Sequence, residues 1–155
     1  MVKVLITIAI CLFLSASGHA ATFTLRFERL AEALAGLKEA DRSTVKRAIE
    51  SIKKGENTVA LTQLSALTRN YPMNSSLRIL TAYVLLQTGN LLGAFDEARK
   101  AETAQDWNSY KCWFLAKIAF IAGDNAVCKR ELAHARQDKS AAEDVRALEL
   151  ELNGK

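Results

Sequence analysis

The sequence predicts an all-α fold of stacked helical hairpins, and three observations predict it. Gly55, Gly89 and Gly123 stand 34 residues apart. Each follows an apolar stretch with helical spacing and precedes a polar residue, and a small residue falls five places later at Ala60, Ala94 and Cys128. No segment alternates apolar and polar residues in the manner of a strand. A fixed period of this size marks helix–turn–helix units that bury their apolar faces against one another.

The chain has 155 residues, of which 50% are apolar and 25% charged. That balance suits one modest domain with a real core rather than a disordered chain. Part of the apolar content lies in Met1–Ala21, where Lys3 precedes the run Val4–Leu14 and the sequence then softens through Ser15, Ser17 and Gly18 to Ala20. This is the three-part plan of a secretory signal peptide over residues 1–20, with cleavage expected after Ala20 and a periplasmic or secreted product. The competing reading is an uncleaved anchor in the inner membrane, facing the periplasm. The apolar run is shorter than the roughly 20 residues a bilayer span needs. Cys11 is a poor lipid-attachment site, because Ile10 is bulky and both lie inside the apolar run. Basic side chains number 21 and acidic ones 17, a net charge of +4 that falls to +3 without Lys3. The charges alternate in sign, and the longest basic cluster is Lys53–Lys54. Nucleic acid is therefore not an expected partner.

Residues 22–40 place Phe23, Phe27, Leu30, Ala31, Leu34 and Leu37 at helical spacing, with Gly36 a weak point. They predict an N-terminal helix, about Phe27 to Glu39, that covers the apolar end of the stack. A sharper reading lays this segment in a binding groove as an internal ligand. The next helix opens near Asp41 or Ser43, either a plausible N-cap, and buries Val45, Ala48, Ile49 and Ile52. Gly55 ends it as a residue able to take φ > 0, and Lys53 and Lys54 oppose the negative end of its dipole. A second helix carries Ala60, Leu61, Leu64 and Leu67, and Pro72 closes the unit. The second unit reads Ser75–Gln87 then Leu91–Thr103, and the third Ser109–Ala122 then Ala126–Arg136. Aligned on the glycines, Ala48, Ala82 and Ala116 form a small column, as expected where helix axes approach to about 8–10 Å. Residues 143–155 continue a last amphipathic helix, Ala141–Leu152, with Ala141, Val145, Leu148 and Leu152 on one face and acidic residues on the other. It caps the stack.

The pattern resembles the tetratricopeptide repeat. Its 34-residue unit carries small or apolar residues at fixed places, a turn glycine and often a proline near the end. Residues 41–74 match through Ala48, Gly55, Ala60, Leu64, Leu67 and Pro72. Residues 75–108 match through Ala82, Gly89, Ala94, Ala98 and Ala101, with Asp106 in place of proline. Residues 109–142 match through Ala116, Gly123, Leu132 and Ala135, with Cys128 at the usual alanine and Ser140 instead of proline. The family's tryptophan and tyrosine of the first helix are absent from their usual places. The resemblance implies a right-handed superhelical stack of three hairpins over residues 41–142, flanked by the N-terminal helix and the C-terminal capping helix.

It further implies a concave surface lined by the first helix of each hairpin. The positions that map there are Val45, Ile49, Ile52 and Lys53, then Ile79, Tyr83, Leu86 and Gln87, then Tyr110, Trp113, Lys117 and Phe120. Of these, Ile49, Lys53, Ile79, Tyr83, Gln87, Tyr110, Trp113 and Lys117 are the candidate partner-binding residues. An amphipathic helix or an extended apolar peptide would suit such a surface. The competing reading packs the same rings as core beneath the terminal helices. The basic and asparagine set by which some family members clamp a peptide's carboxylate is missing at matching positions.

Cys112 and Cys128 would meet an oxidising compartment after export. A disulfide between them is disfavoured, because the hairpin neighbour of Cys128 is near Ala116, one turn away from Cys112. That offset adds roughly 6 Å along the axis, and Cα atoms beyond about 7 Å are not bridged. Enzymatic readings are poor. His134 and Cys128 are six residues apart, on different faces of one helix. No glycine-rich phosphate loop, cofactor motif or metal set is present. The expected function is an exported protein-interaction module, a scaffold or chaperone for assembly of secretion or pilus-type envelope machinery. A membrane-anchored periplasmic adaptor and a self-associating structural subunit are the alternatives.

Overall fold

A computed structural model of the chain describes residues 25–27, 30, 34, 36–104, 108–137 and 139–154. The expected signal segment, Phe23 and Asp106 lie outside these residues. Those described form α1 (Glu39–Lys53), α2 (Asn57–Asn70), α3 (Ser75–Gln87), α4 (Leu91–Ala101), α5 (Ser109–Ala122), α6 (Asn125–Ala135) and α7 (Ala142–Asn153), the last preceded by a 3-10 turn, Lys139–Ala141. Among the described residues there is no strand, and no helix long and apolar enough to cross a membrane.

The turns explain the pairing. Gly55, Gly89 and Gly123 take φ of +79°, +81° and +80°. In each turn the glycine N–H donates to the carbonyl three residues back, Ile52, Leu86 or Phe120, at 3.0–3.2 Å. The next residue's N–H reaches five residues back, Glu56 to Ser51, Asn90 to Leu85 and Asp124 to Ala119, at 2.8–2.9 Å. This double bond set satisfies the last carbonyls of a helix and requires the left-handed conformation that glycine adopts without steric cost. The residue after the glycine then starts the following helix. Asn90 accepts from Gly93 N–H at 2.9 Å and Asp124 from Val127 N–H at 3.0 Å. Asn74 and Asn108 cap α3 and α5 in the same way, from Leu77 N–H at 3.0 Å and Lys111 N–H at 3.1 Å. One helix thus ends and its neighbour begins within two or three residues, which leaves antiparallel packing as the available arrangement.

Each helix packs chiefly on its neighbours in the chain: α1 on α2, α3 on α4, α5 on α6, with α2 on α3 and α4 on α5 joining the pairs. The small columns lie at these contacts, and Ala48, Ala82, Ala116, Ala60, Ala94 and Cys128 are all fully buried. Pro72 follows α2, whose C-cap is Tyr71, so the helix stops where expected. α3 and α5 differ from the others. Ten residues of each are buried, covering every side of the helix. A helix apolar all round must be covered all round. The fourth side of α5 is covered in part by α7, through Val145 and Leu148.

Two expectations need correction. α1 begins at Glu39 with Lys38 at its N-cap and no side-chain cap, so neither Asp41 nor Ser43 opens it. Glu39 and Asp41 stand in its first turn and meet the positive end of the helix dipole there. The Asp41 carboxylate instead accepts a hydrogen bond from the Tyr71 hydroxyl, which joins α1 to the end of α2. The N-terminal helix over 22–40 falls partly outside the described residues. Within them, Leu25 and Arg26 have no regular structure, Phe27, Leu30 and Leu34 show 3-10 geometry, and Gly36 and Leu37 turn the chain into α1.

Because an added Cβ at Gly89 or Gly123 meets nothing within 4 Å, the cost of substitution is confined to the backbone. Gly89→Ala and Gly123→Ala should each lose about 1–2 kcal/mol. Gly36→Ala, with negative φ and open space around it, should change stability by less than about 0.5 kcal/mol. Urea unfolding at constant m-value reads the difference, and equal losses at all three sites would contradict the turn assignment. In the same assay Asn108→Ala should cost about 1 kcal/mol through its lost cap.

Candidate functional site

The eight candidate residues do not share one environment. Ile79, Tyr83, Tyr110 and Trp113 are buried, at 0%, 8%, 4% and 6% exposure. Ile49 and Gln87 are half-buried, and Lys53 is exposed and paired with Glu50 at 3.2 Å on its own helix. Lys117 is held by the Glu151 carboxylate of α7, at 2.7 and 2.8 Å, and lies 5.8 Å from the centre of the Phe120 ring. Val45, Ile52, Leu86 and Phe120 are also buried. The residues mapped to a hollow are therefore largely covered, and the structure identifies part of the cover.

The chain's own N-terminal residues lie on this face. The Arg26 backbone N–H donates to the Tyr110 hydroxyl at 2.7 Å. The Tyr83 ring meets Phe27 edge-on with centroids 6.1 Å apart. Tyr110 stacks on Trp113 at 5.3 Å, which fixes the ring that carries the accepting hydroxyl. The Arg26 guanidinium reaches Asp144 of α7 at 3.2 Å. Leu25, Leu30 and Leu37 are 1–3% exposed and join the main core. At the other end, Arg42 Nε donates to the Leu37 carbonyl at 2.9 Å. These contacts set residues 25–27 against the face to which the candidate residues were mapped.

Electrostatics pin the periphery. The acidic face of α7, expected in solvent, is partly engaged: Asp144 with Arg26, Glu149 with Arg136 and Glu151 with Lys117. Arg130 spans Glu131, itself 2% exposed, and Glu102 at the end of α4, which ties α4 to α6. A different surface holds a cleft of about 640 Å³ between α2, α3 and α4, walled by Leu61, Pro72 and Leu85 and crossed by the Arg78–Glu97 pair at 2.8 Å.

No protein-family model matches the sequence, and none of the curated proteins compared with it is similar enough to count as a relative. The site is therefore argued from its own geometry.

Cys112 and Cys128 are buried and not joined to each other, and burial pushes the Cys128 thiol above its ordinary range. His134 is exposed on α6 while Cys128 faces the core. Among the described residues no cluster of three or more His, Cys, Asp or Glu could hold a metal ion. The residues that the sequence reading missed are Leu25, Arg26 and Asp144. Their signal was the absence of any polar side on α5, which announces a helix that something must cover on every face.

Tyr83 is raised above the usual tyrosine range, chiefly by burial, and Tyr71 by its hydrogen bond to Asp41. A raised phenol pKa favours the neutral folded form. The stability it contributes is complete below about pH 10 and is lost as pH rises through the folded values. Absorbance titration at 295 nm should show tyrosines ionising late in the native protein and at the ordinary value in denaturant; coincident curves would refute this. Cys128 should react with a thiol reagent only on unfolding, and prompt native-state labelling of that residue would contradict its placement.

Proposed function

We propose that this protein is an exported interaction module of the tetratricopeptide kind, a scaffold or chaperone that holds another envelope protein during assembly of secretion or pilus-type machinery. The observation that carries the reading is a recurrence of whole geometry. A helix, a left-handed glycine, a capping Asn or Asp and a second helix repeat at 34-residue spacing around Gly89 and Gly123, and Gly55 keeps the phase with Glu56 in the cap position. Stacked units of this kind in a right-handed superhelix present the first helix of each hairpin on one side. In this chain that side carries Tyr83, Tyr110 and Trp113, residue types that anchor protein interfaces with large contact area. The signal-like residues 1–20 support export, with the anchored adaptor as the variant in which they are retained.

This reading assigns no catalytic step and no cofactor. Its partner is a protein segment, extended or helical, and the groove chemistry favours apolar anchors with a charged rim at Lys53 and Lys117. A self-associating subunit is the second reading, favoured by the N-terminal residues seated on the face, since the same contacts can form between two copies.

Crosslinking in envelope extract tests the proposal. Wild-type protein should capture a defined partner, and Ile49→Ala combined with Lys53→Glu should reduce capture about tenfold, a loss of about 1.4 kcal/mol. Val59→Ser and Leu92→Ser, exposed on α2 and α4, should leave capture unchanged. Equal capture by all folded variants would refute a role for this face.

A further inference from the structure

Two tyrosines on successive hairpins hold one short stretch of chain. Tyr110 of α5 accepts a hydrogen bond from the Arg26 amide at 2.7 Å, and Tyr83 of α3 lies against the following residue. A backbone contact such as the first is indifferent to side chains. Selectivity comes from what surrounds it. Leu25 is 1% exposed in an apolar pocket, Phe27 meets the edge of the Tyr83 ring at 6.1 Å, and the Arg26 guanidinium lies 3.2 Å from Asp144. The subsite therefore accepts an aliphatic residue, a cation and an aromatic residue in sequence.

We infer that this subsite is the recognition element of the face, that its outside ligand is a partner segment with the same aliphatic–basic–aromatic order, and that Leu25–Phe27 is a tethered occupant which such a segment must displace. The inference rests on the reading of this face as protein-binding. It commits the ligand to a basic and apolar stretch and disfavours acidic peptides, which would set a carboxylate against Asp144. Displacement is consistent with the grip itself. The Arg26–Asp144 pair is partly solvated, with side chains 40% and 20% exposed, so it holds weakly. A tethered occupant lowers the apparent affinity of an outside ligand by the fraction of molecules that are open. Weakening the tether therefore strengthens binding in trans, a sign opposite to that of an ordinary contact mutation.

That sign is the test. The probe is a fluorescein-labelled synthetic peptide with the sequence of residues 22–34, and the receptor is the full-length mature chain. Arg26→Ala with Phe27→Ala in the chain should bind the probe at least tenfold more tightly than wild type. Adding Asp144→Asn to that variant should reverse several-fold of the gain, and a probe carrying Arg26→Glu should bind the double variant at least tenfold more weakly than the unaltered probe. A double variant with native circular dichroism that binds no more tightly than wild type would overturn the inference. Should the double variant unfold, hydrogen exchange on wild type decides: the Arg26 amide should exchange at least 100-fold faster than buried amides of α3 and α5, and equal protection would overturn displacement. Light scattering that finds a dimer exchanging N-terminal segments between copies would also overturn it, because the occupant would then be a second copy. The result is separable from that of the crosslinking experiment. Probe binding with the expected sign but no envelope partner removes the scaffold reading alone, and capture of a partner without the sign removes displacement alone.

Discussion

Three peptide units held near φ = +80° set the course of the chain. At each, the last carbonyls of one helix are satisfied by the two amides that follow, and the next helix is already beginning. A reversal this short leaves no freedom in how the two helices meet. Their axes must approach closely, and alanine or cysteine at Ala48, Ala60, Ala82, Ala94, Ala116 and Cys128 permits it. A larger residue at any of these would push a pair apart and shift the neighbours seated on it. The turn geometry and the small columns are thus one constraint seen from its two ends.

The second requirement follows from α3 and α5. They lie between other helices on both sides, and a helix in that position gains most by being apolar all round. The consequence is that any face left over is apolar as well. The structure meets this by placing Leu25, Leu30 and Leu37 in the core from one side and α7 from the other. Each fully buried leucine is worth about 1.5–3 kcal/mol as an upper figure. The ion pairs around them, mostly with one or both partners solvated, add less and serve to fix orientation.

Much of this was legible before any coordinates. The bounds of α3 and α5 agree residue for residue with the sequence reading, because Asn74 and Asn108 on one side and Gly89 and Gly123 on the other are local signals with local causes. The start of α1 was misplaced because no cap marks it: Lys38 has no side-chain oxygen, and the nearby Asp41 is engaged by Tyr71, a partner 30 residues away. The site was half legible. The repeat resemblance mapped Tyr83, Tyr110 and Trp113 to one face, yet it carries no information on what rests against them. Arg26 and Asp144 meet across 118 residues of chain, and nothing in the neighbourhood of either announces the other.

The bond from Arg26 to Tyr110 spans 84 residues, and the pair with Asp144 reaches from near the start of the described chain to its last helix. Without them, the molecule is a line of hairpins in which each unit knows only its neighbours, and it could fray from either end. With them, the two ends are stapled through the middle. Fraying α7 loosens residues 25–27, and that uncovers α3 and α5 together. Loss of order at one terminus is therefore felt at the centre, which a line of independent units would not show. It also means that folding must wait for a contact of long loop closure, which is slow to form by comparison with the hairpins themselves.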